Sequence, residues 1–305
     1  MEKFTRRNFI SLSAIAASSI LLPLDLFASL RKVSWSGKSL GSNSSITIYT
    51  KDEKYAKKSI KEALEEVNRL ENIFSLFRNN SEIVKLNKNG FLNNPQKEFI
   101  ELLNFAKKIS KLSDGYFDVT VQNLWIAYSK FSNNEELLKD ELQKRKKLIS
   151  WKNIQISKER ISFKKTGVKI TLNALAQGFI TDKISTFFKQ KGLENVLVNF
   201  GEFRSLGRPS ENRDWRLSIN NTKNIISLKD LAVSTSASFG TRFNKKYHHL
   251  FNPKNSLSAN SNESISVVAT SAALADALST TLAIMPKEKR EAFIQNFSNI
   301  KVYSS

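Results

Sequence analysis

Near the end of the chain, a carboxylate and a hydroxyl stand four residues apart in an otherwise apolar run. The run is VATSAALADALSTTLAI, Val268 to Ile284, and the pair is Asp276 and Thr280. On a helix, positions i and i+4 share one face, so both oxygens leave on the same side. A carboxylate buried in such a run needs a counter-charge or a metal. Hard cations such as magnesium and calcium take oxygen ligands of this kind. An Asp solvated at a helix edge, with Thr280 a spare hydroxyl, is the other reading open here. The only histidines, His248 and His249, are adjacent in KKYHHLFNPKNS. They lack the i, i+4 spacing of a zinc helix. One of them suits a general base near neutral pH; an ordinary turn histidine is the alternative. Ser234-Thr235-Ser236 offers hydroxyls for a phosphate or for a turn, and Tyr116-Phe117-Asp118 sets an aromatic pair beside a carboxylate, as a ligand wall or as core.

The surrounding pattern supplies elements to hold these groups. Ser44 to Thr50 reads as a strand. Apolar positions Ile60, Ala63, Leu64, Val67, Leu70 and Phe74 recur at helical spacing, which predicts a long amphipathic helix from Lys54 to Phe74. Ser81-Glu82 reads as a helix start after the Asn79-Asn80 turn. A second amphipathic helix is expected from Glu98 to Leu112, ending at the turn Ser113-Asp114-Gly115. Residues 129–150 read as a charged, helical, peripheral connection. Strands are expected at Ile154–Ile156, Ile161–Phe163 and Val168–Leu172. The last leads into Asn173-Ala174-Leu175-Ala176-Gln177-Gly178 and a helix, a place where backbone groups meet ligands. Gly178 has a second reading, as a residue that only permits close helix packing. Further strands are expected at Asn195–Asn199, Trp215–Ile219, Leu231–Val233 and Ile265–Thr270.

Composition bounds the class. The net charge is +20, from 48 Lys plus Arg against 28 Asp plus Glu. The densest run, Lys144 to Lys147, reads as a solvated helix face, and no nucleic-acid motif accompanies it. Nucleic acid is therefore not expected as a partner, although the charge favours anionic substrates at long range. The absence of cysteine excludes disulfides, thiolate metal sites, a cysteine nucleophile and a lipidated N-terminal Cys. The chain opens MEKFTRRNFISLSAIAASSILLP, a basic start followed by a short apolar run. This describes a signal peptide, with cleavage expected after Ala28, and the Arg6-Arg7 pair points to the twin-arginine (Tat) route. An uncleaved, membrane-associated anchor is the alternative. Residues 29–305 are read as one functional domain in the periplasm.

Taken together, these stretches resemble the ApbE family, the FAD:protein FMN transferases, from about Leu40 to beyond Thr281. ADALSTT, Ala275 to Thr281, is similar to the family's metal motif. The resemblance implies magnesium bound by Asp276 and Thr280, with the backbone carbonyl of Ala174, in TLNALAQGFITD, as a further ligand. It implies flavin contacts at Leu40 in LGS, at Phe77 in SLFRNNSEIVKLN, at Tyr116, Phe117 and Asp118 in DGYFDVTV, and at Thr171. VNFGEFRSLG, VSTSASFGTRF and YHHLFNP follow in the family's order, and the last puts His249 in the family's histidine position, a candidate general base. The implied fold is α+β, with mixed or antiparallel sheets flanked by helices. The implied reaction is magnesium-dependent transfer of FMN from FAD to a Ser or Thr of an exported redox protein, with release of AMP. The implied partners are FAD, that acceptor protein, and the Tat translocon during export. The chain departs from the family's usual residues at Thr171 (Asp), at Gln177 (Lys or Glu), and at Asn252-Pro253 with Asn255-Ser256 (Asp-Pro with Thr-Gly). One of the paired glycines near Gly201 is missing. A FAD-holding accessory protein without transfer activity is the alternative function.

Overall fold

The computed structural model describes residues 30–39, 41–210, 212–219, 225–259 and 263–305. The expected signal peptide and Leu40 lie outside the described residues.

The chain begins with β1 (Arg31–Ser39) and β2 (Ser42–Thr50), then α1 (Glu53–Phe74), α2 (Glu82–Asn89), β3 (Phe91–Asn93) and α3 (Lys97–Leu112). Next come α4 (Gln122–Phe131), α5 (Glu135–Lys146), β4 (Ile154–Ile156), β5 (Arg160–Phe163) and α6 (Ala176–Gln190). The second half holds β6 (Val196–Asn199), β7 (Phe203–Leu206), β8 (Trp215–Ser218), β9 (Ile225–Leu228) and β10 (Ala232–Ala237). It ends with β11 (Phe251–Asn252), β12 (Leu257–Ser258), β13 (Ser264–Ala269), α7 (Ala272–Ile284), α8 (Lys287–Ile294) and β14 (Lys301–Ser304). This is the α+β class expected from the sequence. No helix among the described residues is long and apolar enough to cross a membrane.

A seven-stranded sheet in the order β1-β2-β6-β7-β10-β13-β14 is the frame. Every neighbouring pair in it is antiparallel. Alternate residues of a strand point to opposite faces. Accordingly Val196 and Val198 enter the main core with α1, α3 and α6, whereas Leu197 joins Phe203, Val233 and Val268 beneath the β8–β9 hairpin. The helices predicted from periodicity begin where side chains can cap them. Asp52 accepts from the Tyr55 N–H at the start of α1, and Ser81 accepts from Val84 at the start of α2.

One expected strand is absent. Val168–Leu172 joins no ladder. The Asn87 side chain takes the place of a neighbouring strand: its Oδ1 accepts from the Ile170 N–H and its Nδ2 donates to the Ile170 carbonyl, both at 2.8 Å. Thr171 N–H goes to the Val119 carbonyl at 2.8 Å. The Ile170 backbone and the Thr171 N–H are thereby paired without a sheet. The charged connection over 129–150 is also less peripheral than expected: Leu138 and Leu142 of α5 pack with Tyr128 and Phe251 in a core of their own.

Ser256 carries a stability prediction. It adopts φ +64°, is buried, and its hydroxyl has no hydrogen-bond partner among the described residues. Its main chain is fixed, with N–H donating to Asn252 O at 2.8 Å and C=O accepting from the Tyr128 hydroxyl at 3.2 Å. Left-handed backbone costs a non-glycine residue about 1 kcal/mol or more, and an unmet buried hydroxyl about as much again. Ser256→Gly is expected to stabilise the protein by about 1–2 kcal/mol after the entropy of glycine is set against the gain. A raised urea midpoint with an unchanged slope is the expected result; an unchanged midpoint would refute the account.

Candidate active site

Helix α7 is buried almost all round, which an apolar run of small residues permits. It lies against β10, β13 and α6. Its start is clamped from three directions. Ser271 caps it through the Leu274 N–H at 3.1 Å. The Asp182 carboxylate of α6 accepts from the N–H groups of Ala272 and Ala273 at 2.8 and 2.9 Å. Arg204 of β7 donates to Asp182 Oδ1 and to the Thr270 carbonyl, both at 2.7 Å. Burial pushes the Asp182 carboxyl upward, against the pull of Arg204 and the two amides. Gly178 of α6 lets the helices meet: a Cβ there would stand 2.4 Å from the Ala272 carbonyl oxygen. Sequence reading missed Asp182 and Arg204. Each is one polar residue in an ordinary segment, and their partners are distant in the chain.

Asp276 and Thr280 both border one cleft, of about 570 Å³, together with Ser42, Gln177, Gly201, Glu202, Ser236 and His249. This cleft is polar. Asp276 is 4% exposed, which settles the choice between a solvated edge and a buried carboxylate. Gln177 donates to the Ser42 hydroxyl at 2.7 Å. Gly201, at φ +107°, is what leaves room for it, since a Cβ would lie 2.6 Å from the Gln177 amide carbon.

A second cleft, of about 610 Å³, is lined by aromatic residues, among them Tyr116, Phe117, Trp125 and Phe251. Thr171, Ala174 and Asp118 also border it. Thr280 and His249 line both clefts and so form the wall between them. Ala174 borders the aromatic cleft and Asp276 the polar one. Phe77 is 81% exposed and lines neither cleft. Tyr116 sits beneath two ammonium groups, with Lys254 and Lys289 at 5.5 and 5.4 Å from its ring centre.

The two histidines separate by their partners. His248 Nε2 meets the Ala259 carbonyl at 2.8 Å, and its Nδ1 accepts from the Leu250 N–H at 3.3 Å. Both nitrogens are thus spent on loop structure, and burial pushes its pKa down. His249 has Nδ1 at 3.1 Å from both the N–H and the carbonyl of Thr241. The two contacts belong to different tautomers: Nδ1 accepting from the Thr241 N–H leaves the proton on Nε2, and Nδ1–H donating to the carbonyl leaves on Nε2 the lone pair a base requires, so the base role uses the second. Asp118 has both carboxylate oxygens engaged: one accepts from the Thr120 N–H and hydroxyl at 2.8 and 2.6 Å, the other from Trp151 N–H at 2.7 Å. Burial pushes its carboxyl upward. It shapes the aromatic wall by tying residue 151 to the 118–120 turn.

Among the described residues no group of three or more His, Cys, Asp or Glu side chains is placed to share a metal. The oxygens at the wall fit a different pattern. One buried carboxylate, Asp276, and the buried Thr280 hydroxyl are hard donors. Magnesium binds with one or two carboxylates and fills its remaining positions with water and phosphate oxygens. The donor set therefore fits magnesium with a phosphate ligand.

Residues 40–304 match the model of the ApbE family. The FAD:protein FMN transferase of Haemophilus influenzae is 26% identical over 252 residues, covering 75% of this chain and 72% of its own. That of Buchnera aphidicola is 26% identical over 284 residues, with 85% and 82% covered. The chain is similar in structure to the ApbE protein of Thermotoga maritima, with TM-score 0.77 at 25% identity over 89% of this chain and 93% of that one. It shares its fold with the apo flavinyl transferase ApbE of Pseudomonas stutzeri, with TM-score 0.78 at 21% identity over 92% and 96%.

Proposed function

The chain belongs to the ApbE family, and from that membership we propose that it is a FAD:protein FMN transferase. In this reading it moves FMN from FAD to a Ser or Thr hydroxyl of an exported redox protein and releases AMP. It does so with magnesium, in the periplasm, after export by the Tat route. The observation that carries the reading is the shared wall. Thr280 of α7 and His249 of the loop before β11 line both clefts, and Asp276 of α7 borders the polar one. FAD is an elongated dinucleotide. The two clefts offer separate berths for its two halves, with the pyrophosphate between them at Thr280 and His249.

Asp276 and Thr280 would hold the magnesium ion, with the Ala174 carbonyl on the aromatic side. When bound, the ion neutralises phosphate charge. The chain's own residues then account for position and proton transfer. The rings of the aromatic cleft hold a planar ring, and Gln177, fixed by Ser42, borders the polar cleft. The acceptor oxygen forms a bond to the FMN phosphorus, the P–O bond to AMP breaks, and the hydroxyl proton passes to His249. Positioning and charge supply most of such a reaction.

The test is the intact mass of a candidate acceptor after incubation with the protein, FAD and Mg²⁺. A gain of one FMN with matching AMP release supports transfer. FAD retained without AMP release, over several acceptors, would replace this reading with that of an accessory flavin-binding protein. For His249→Ala we expect FAD to bind and transfer to slow by roughly 10²–10⁴-fold, the usual worth of a positioned base. Transfer at the parent rate by a FAD-bound variant would remove His249 from the mechanism.

A further inference from the structure

The hydroxyl of Thr280 stands at the end of a chain of serines, and counting protons fixes its direction. Ser279 Oγ lies 3.1 Å from the backbone carbonyl of Asp276, which can only accept. The single Ser279 proton is therefore spent there. Ser236 Oγ is 2.9 Å from Ser279 Oγ, so at that contact Ser236 must donate. Thr280 Oγ1 is 3.0 Å from Ser236 Oγ, whose proton is already used, so Thr280 must donate. Ser234, at 3.1 Å, gives its own proton to Ser279 from the other side. Ser234 and Ser279 are almost wholly buried, which shields that end of the chain from water, while Ser236 is half-buried at the border of the cleft.

We infer that Ser236 and Ser279 are positioning residues that hold the Thr280 proton away from the cleft, presenting the lone pairs of its oxygen to a cation. The inference rests on the proposed role of Asp276 and Thr280 as the cation site. A hydroxyl that ligates a cation must point its proton elsewhere, and groups that orient a ligand in this way are typically worth about 10–100-fold in metal affinity. Both serines are needed. Without Ser236, Thr280 has no acceptor for its proton. Without Ser279, Ser236 is free to donate to Thr280, which reverses the order and turns the Thr280 proton toward the cleft. Neither change removes a ligand.

The test is calorimetric titration of MnCl₂ into the purified protein, with and without saturating FAD, beside thermal melts of the metal-free forms. Ser236→Ala and Ser279→Ala are each expected to bind Mn²⁺ about tenfold more weakly than the parent, with metal-free melting temperatures little changed. The double variant is expected to match the weaker single one, because one chain is broken once. Ser236→Thr, which keeps the hydroxyl, is expected to restore affinity. Parent-like affinity in both single variants would overturn the positioning role alone. Failure of the parent protein to bind Mn²⁺ under either condition would overturn the cation site itself, and this inference with it.

Discussion

Asp276→Ala is expected to lower the rate of FMN transfer by at least about 10³-fold, near 4 kcal/mol of transition-state stabilisation. Asp276 is the only charged residue of α7, and it is 4% exposed at the border of the polar cleft. No other carboxylate on that helix can stand in for it. Glu202 borders the same cleft but comes from the other side of the fold, on the loop before β7. The substitution should not unfold the chain. Alanine favours a helix more than aspartate does, and a small apolar side chain suits a helix buried all round. The metal-free melting temperature is therefore expected to hold or rise, while the gain in melting temperature on adding Mg²⁺ is lost. Initial rates by intact mass, measured over a range of Mg²⁺, check this. Transfer within tenfold of the parent would show that the carboxylate is not the charge on which the reaction depends. Asp276→Asn keeps the shape without the charge and should fall nearly as far.

The parts of this site that were legible in sequence are those whose signal is local. The Asp276–Thr280 spacing needs only the helical repeat, and the apolar run around it announces burial. Helices α1 and α3 follow from their periodicity in the same way. Strand β1 was not read, because RKVSWSGKS alternates without an apolar run, as suits a strand at the sheet's edge. Val168–Leu172 has strand composition, but its partner is a single amide side chain, Asn87, 83 residues from Ile170. No propensity can report that. The pairing of Asp182 with Arg204 and the chain from Thr280 to Ser279 through Ser236 have the same character. Their residues look ordinary, and only the packing of α7 against β10 and α6 makes them a unit. The choice between His248 and His249 by geometry is likewise tertiary: neighbours in sequence, they differ in which carbonyls and amides surround each ring.

That packing yields the second large effect. Gly178→Ala is expected to destabilise the protein by about 2–3 kcal/mol and to slow transfer by about 10²-fold or more. The added Cβ would lie 2.4 Å from the Ala272 carbonyl oxygen, 2.6 Å from its carbon and 2.8 Å from Ala273 Cα. All three are backbone atoms, so no rotamer change relieves the overlap. The higher helix propensity of alanine returns about 1 kcal/mol, which is too little to cancel the clash. Nor can α7 retreat freely, because Asp182 holds two N–H groups of its first turn at 2.8 and 2.9 Å, and Arg204 braces Asp182 and the Thr270 carbonyl at 2.7 Å each. Either the helix shifts and those contacts lengthen, or α6 moves and drags Gln177 from Ser42. Each route disturbs the cleft wall, since Asp276 follows Ala272 by about one turn. Urea denaturation and transfer rates on the same preparation separate the outcomes. A loss of stability with full activity would mean that the strain is absorbed away from the wall, through α6. Parent-like stability would refute the contact itself.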